Sequence, residues 1–234
     1  MSELSPNGVL RVGVNLGNFL LVNKEAATGE LRGIVPDLAQ ELGRRLEATV
    51  QLVPFAGAGE TADGAKSGAW DVAFLGAEPQ RAEQIAFTPA YLEIPATYLV
   101  PAGSQIKSLT EVDRPGVRIA VSARSAYDLY LSRNLKHAQL VRAEGIQPSY
   151  DLFVREKLDL LAGLLPRLTS DVAKLPGSRI LEGKFTAVQQ AVGTPKPRQK
   201  GAGYLREFVD DIKKTGLVAR LIERHKVKGV NVAP

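Results

Sequence analysis

A chain of 234 residues, 44% of them hydrophobic and 24% charged, is long enough to bury a core unaided, and its composition excludes a disordered, collagenous or disulfide-built protein. It has no cysteine and two histidines, His137 and His225, which removes thiol chemistry and cysteine-rich metal sites and leaves too few ligands for a histidine metal centre. The formal net charge is +5, and residues 194–234 hold ten Lys or Arg against four Asp or Glu, so the excess belongs to that end and the rest of the chain is near neutral.

In chain order, short apolar runs alternate with helical patterns, which predicts an α/β protein with parallel strands buried on both faces. Strand-like runs are Val9–Val14, Val50–Val53, Asp71–Leu75, Thr97–Val100, Val117–Val121, Gln139–Val141, Leu158–Ala162, Arg179–Leu181 and Ala187–Val192. Pro36–Leu46 reads as a helix: Pro36 suits a first turn, Asp37 complements the positive helix end, and Leu38, Leu42 and Leu46 share a face. Ser125–Arg133 and Gln147–Glu156 read likewise. Near the end, Leu205, Phe208, Val209 and Ile212, then Leu217, Val218, Leu221 and Ile222, repeat at helical spacing with Arg206, Lys213, Lys214, Arg220 and Arg224 between them. The local basic excess is therefore the solvated face of two packed helices, and no nucleic-acid partner is expected. No run approaches the ~18 apolar residues of a membrane helix. The first strand begins within nine residues of Met1, which leaves no room for an export signal. Either such a segment has been removed, or the protein stays in the cytoplasm.

No repeat or flexible linker divides the chain, so a two-domain split must use short crossings. Tyr91–Thr97 and Ala187–Val192 qualify, which predicts a discontinuous first lobe, 1–94 with 191–234, and a second lobe, 95–190.

Most motif templates fail. Gly59-Glu60-Thr61-Ala62-Asp63-Gly64-Ala65-Lys66-Ser67 carries one residue too many between Gly64 and Lys66 for a phosphate-binding loop, and reads as a helix that stops at Gly68. Neither a G-x-S-x-G elbow nor an H-E-x-x-H pair occurs, no catalytic residues, metal ligands or cofactor site emerge, and both histidines read as solvent-facing residues at helix ends. Two segments can hold an anion. Asp71–Gly76 runs into a turn with Glu78 and a Pro-initiated helix carrying Arg81, whose guanidinium can grip a carboxylate in parallel hydrogen bonds. Ser122, Arg124 and Ser125 follow another strand at a helix start, where amides attract negative charge. The plainer alternatives are Arg81 as a surface partner of Glu78 or Glu83, and the serines as helix caps.

The order and spacing of several short matches then carry a resemblance over nearly the whole chain. Leu10-Arg11-Val12-Gly13-Val14, Gly29–Ala39, Ser67-Gly68-Ala69-Trp70-Asp71-Val72, Pro79-Gln80-Arg81-Ala82-Glu83, Ile85–Tyr91, Lys157-Leu158-Asp159 and Gly216-Leu217-Val218 together resemble the bacterial extracellular solute-binding proteins of family 3. These are the polar amino-acid-binding components of ABC transporters, with the type II periplasmic-binding fold.

The resemblance implies a two-lobed α/β protein, each lobe a mixed, mostly parallel sheet flanked by helices, closing about a two-strand hinge on a ligand in the cleft. It implies that Arg81 binds the ligand carboxylate, helped by amides and hydroxyls at the helix start matching Ser122–Ser125, and that Phe19 packs on the ligand. Asn18, Gly76, Glu78, Gln189 and Gln190 are expected to shape the remainder. Two departures stand out: Arg124 replaces the usual glycine, and Leu164 falls where the family places its ammonium-binding aspartate, so the ligand is expected to need a carboxylate but no ammonium unless Glu78 or Glu93 substitutes. The expected protein is a monomeric, periplasmic, non-catalytic binding protein whose partners are a small carboxylate or amino-acid-like solute and ABC transporter membrane subunits. The alternatives are a cyclohexadienyl dehydratase-like enzyme on the same fold, acting on prephenate-like acids with Glu78 or Glu93 as general acid, and a cytoplasmic ligand sensor.

Overall fold

A computed structural model describes residues 3–234. In chain order it contains β1 (Val9–Asn15), β2 (Asn23–Lys24), β3 (Leu31–Arg32), α1 (Ile34–Leu46), β4 (Thr49–Phe55), α2 (Ala58–Ser67), β5 (Val72–Gly76), α3 (Pro79–Ala82) and β6 (Ile85–Val100). There follow β7 (Arg118–Ser122), α4 (Ala126–Asn134), β8 (Gln139–Ala143), α5 (Ile146–Arg155), β9 (Leu160–Leu164), α6 (Leu165–Val172) and β10 (Arg179–Ile180). The chain closes with β11 (Thr186–Pro195), α7 (Gln199–Lys214), α8 (Leu217–Arg224) and β12 (Asn231–Val232). It divides into two compact units, Met1–Glu93 with Gln189–Pro234, and Ile94–Val188. The chain thus passes from one to the other within β6 and returns within β11. Gln189 and Gln190 belong to the first unit, whereas the sequence reading groups them with the middle segment.

In the first unit β1 lies between β4 and β5 and is parallel to both, and β11 runs antiparallel to β5. All five residues of β5 are buried, as a Val-Ala-Phe-Leu-Gly run requires of a central strand. Edge strand β4 instead alternates between exposed and half-buried positions, which corrects the expectation of strands buried on both faces. Trp70 is wholly buried with Ala73, Leu75 and Ile85, and its indole N–H donates to Thr61 O at 2.8 Å. Helix α1 starts two residues before Pro36, because the turn at Gly33 (φ 135°) precedes it and a side chain there would meet Leu21 O at 2.4 Å. Helices α7 and α8 bury Leu205, Phe208, Val209, Ile212, Val218 and Leu221, the faces their spacing predicts.

In the second unit β7 is parallel to β8 and β9, and β9 runs antiparallel to β6. Leu99, Ala120, Leu152, Phe153, Leu158, Leu161 and Leu168 form its core.

Two sequence readings are corrected here. His225 is not a solvent-facing side chain: its ring Nε2 lies 2.9 Å from Asp37 Oδ2, joining the end of α8 to the first turn of α1. The charge excess is also not confined to the C-terminal end. The second unit holds 13 basic and 9 acidic residues, and residues 1–93 hold 7 and 12, so the near-neutral remainder was two opposite charges cancelling.

Candidate functional site

The parallel register of β1, β4 and β5 makes all three strands leave the sheet at one end. Asn15 pairs with Phe55, and Val14 with Phe74. Open α/β sheets gather ligands outside the carboxyl ends of their strands, and the first unit's candidate residues lie there.

Gly76 ends β5, pairs with Gln190 of β11, and is buried. The next amide, of Ala77, donates to Gln189 O at 2.8 Å. Glu78 precedes the single turn of α3, and this turn swings Arg81 back so that its Nη1 donates to Gly76 O at 2.7 Å. Arg81 is only 6% exposed, so it is not a surface side chain. A guanidinium fixed against its own backbone is preorganised, its planar group held in one orientation. The side-chain amide of Gln189 donates to Glu93 Oε2 at 3.2 Å. Asn18 and Phe19 lie in the loop after β1; Asn18 is buried, and Phe19 is a large hydrophobic side chain left exposed. That loop is shaped by Asn15, whose Oδ1 accepts the Gly17 amide at 2.9 Å.

In the second unit Ser122 ends β7, and Arg124 follows with a left-handed φ of 56°, the conformation that the usual glycine takes without cost. Ser125 caps α4, its hydroxyl accepting the Asp128 amide at 3.0 Å. Asp128 answers by accepting the Arg124 amide at 2.8 Å and the Arg142 side chain at 3.0 Å. Burial pushes the Tyr127 hydroxyl up to about 12, against the pull of its hydrogen bonds to Ser125 and Ser122. The turn is thus cross-braced by its own groups, and Arg124 is an exposed residue within it. Sequence reasoning did not single out Asp128, Tyr127 or Arg142, although Ser125-Ala126-Tyr127-Asp128 has the spacing of a reciprocal helix cap. Leu164, at the end of the fully buried β9, is itself buried and brings no charge.

Among the described residues there is no group of three or more His, Cys, Asp or Glu that could hold a metal ion, and no helix is long and apolar enough to cross a membrane.

The fold has solved counterparts. The holo form of ArgBP from T. maritima superposes with a TM-score of 0.76 at 22% identity, covering 96% of this chain and 98% of that one. A cysteine-binding protein from Campylobacter jejuni gives 0.77 at 19% identity, over 94% and 89%. An ancestral amino-acid-binding protein described as a precursor of cyclohexadienyl dehydratase gives 0.75 at 22%, over 93% and 94%. No curated protein matches the sequence. A family model does match, across residues 10–228: the chain belongs to the bacterial extracellular solute-binding proteins, family 3.

Proposed function

We propose that this member of the family captures a small carboxylate-bearing, amino-acid-like solute, does no chemistry on it, and passes it to the membrane subunits of an ABC transporter. The observation that carries the proposal is Arg81: a buried guanidinium, braced on Gly76 O, at the carboxyl end of a central strand. Two parallel N–H donors match the two oxygens of a carboxylate, and such charge-assisted pairs are about twice as strong as neutral hydrogen bonds. In the second unit the turn that carries Ser122, Arg124 and Ser125 is braced by Asp128, which accepts the Arg124 amide, and it stands at the start of α4. Leu164, standing where the resemblance places an ammonium-binding aspartate, argues that the carboxylate is the obligatory group, because an unpaired buried ammonium costs several kcal/mol. Family membership supports work outside the cytoplasm.

A thermal-shift screen of metabolites with and without α-amino groups tests the reading. A ligand at ~100 times its Kd adds about 2.7 kcal/mol of stability, and Arg81→Ala is expected to abolish the shift while the unliganded fold and melting transition persist. Undiminished affinity in Arg81→Ala overturns the assignment. Prephenate and arogenate are expected to yield no product; turnover of either makes the protein an enzyme instead.

A further inference from the structure

Glu93 is the last residue of the first unit before the chain leaves it, and Gln189 is the first on its return. The two are joined, because the Gln189 side-chain amide donates to Glu93 Oε2 at 3.2 Å. At the same level the C-terminal segment pairs with β6. Asn231 of β12 lies opposite Glu93 and Val232 opposite Leu92, and the Ala233 amide donates to Tyr91 O at 3.2 Å. So short a strand is a weak attachment by itself. Here it is anchored, since Val230 and Ala233 are buried and the Lys213 ammonium of α7 bonds to Pro234 O. Pairing of β6 with β12 stops at Glu93, and its pairing with β9 begins at Ala96. Ile94 and Pro95 fall between the two pairings, and Pro95 has no amide to donate.

We propose that β12 is a strap on the crossing strand: it holds β6 extended as far as Glu93 and so confines bending to Ile94 and Pro95. Conformational change is absorbed where the fewest bonds resist it, and the strap removes Tyr91, Leu92 and Glu93 from that set. A crossing free to bend along its whole length samples many orientations, each of which must be given up when a bound state is selected. A crossing that bends at two residues has less to lose. The C-terminal segment therefore limits the range that the unliganded protein explores, whichever solute it captures.

Two measurements on the full, unliganded chain test this: hydrogen exchange along β6, and the distance between spin labels, one in each unit. The sequence has no cysteine, so Lys66→Cys on α2 and Arg155→Cys on α5, both at exposed positions, carry the labels. Ala233→Pro removes the amide that bonds to Tyr91 O. It is expected to speed exchange at Tyr91–Glu93 by about fivefold, as the loss of one hydrogen bond implies, and to widen the distance distribution. Asn231→Pro does the same at an exposed position of β12, and provides the test should the Ala233 variant not fold. Asn231→Ala, which keeps the backbone amide, is expected to change neither readout. Faster exchange with an unaltered distance distribution overturns the proposal, because β12 then only covers a strand edge. Unaltered exchange in both proline variants overturns it too, since β12 then does not hold β6 in solution. Widening in Asn231→Ala equal to that in Asn231→Pro also overturns it, the side chain rather than the strand pairing being responsible.

Discussion

Tyr91 and Arg81 are both large polar side chains buried in the first unit, and hydrogen bonding separates their roles. Arg81 is held by Gly76 O. Tyr91, wholly buried and edge-on to Phe74 with ring centroids 5.8 Å apart, has a hydroxyl without a partner, and burial drives that hydroxyl's pKa far above its ordinary value. Removing the oxygen sacrifices no bond and relieves a desolvation cost, so Tyr91→Phe is expected to stabilise the protein by about 1 kcal/mol. Urea unfolding of the variant measures this, and a loss of stability would show that the hydroxyl is satisfied in solution. Sequence pattern placed Tyr91 at a crossing between lobes and in a family motif but not as an unpartnered hydroxyl, because a hydrogen-bond deficit exists only once neighbours are in place.

At the scale of the element, α2 shows packing reversing a local preference. Gly64 lies inside this helix, where replacement by alanine ordinarily gains about 1 kcal/mol. Here an added Cβ would lie 2.4 Å from the Trp70 Nε1 and 2.7 Å from its Cδ1, with Phe55 at 3.1 Å. The indole cannot retreat without giving up its bond to Thr61 O. Gly64→Ala is therefore expected to destabilise by about 1–3 kcal/mol, measured as a lower urea midpoint with an unchanged slope. The glycine that gave residues 59–67 the look of a phosphate-binding loop is there to admit Trp70. The sequence correctly predicted a helix ending at Gly68, whose φ of 65° closes it, but the tryptophan's approach was not legible. Helix α6 was missed for a related reason: Leu165–Val172 is short, and its direction is set by packing Leu168 into the core of its unit.

For the molecule as a whole, acid is the informative perturbant, because carboxylates tie elements together in the first unit. Asp71 is wholly buried; burial raises its pKa, but the bonds from Arg11 and Arg198 outweigh that and hold it below its ordinary value. Through these bonds it links β1, the start of β5 and the residue before α7. Glu41 of α1 is drawn from 4.5 to about 2, first by its bond from Arg44, against desolvation, with Arg45 adding to the pull; Arg45 also reaches Asp211 of α7. A carboxyl whose folded pKa is depressed contributes stability that is fully present above its unfolded pKa and is lost as pH falls through the folded one. Glu41→Gln is accordingly expected to be less stable than the wild type near neutrality, the difference closing between pH 4.5 and about 2. Urea unfolding across that range checks it, and a difference that stays constant with pH would show that packing, rather than charge, is lost.

The sequence by itself determined the α/β class, the central buried strands, the inward faces of α1, α7 and α8, and the resemblance that the family match upheld. These depend on residue periodicity and on ordered short motifs, which one dimension records. Tertiary structure alone decided that Arg81 is buried on Gly76 O, that Ser122 and Ser125 are bonded to Tyr127, and that His225 meets Asp37. It also decided that Asn18 carries an unmet acceptor. Each of these depends on which distant side chain or carbonyl arrives within about 3 Å, the reach of a hydrogen bond, and residue order does not fix that distance until strand register and helix packing have closed it.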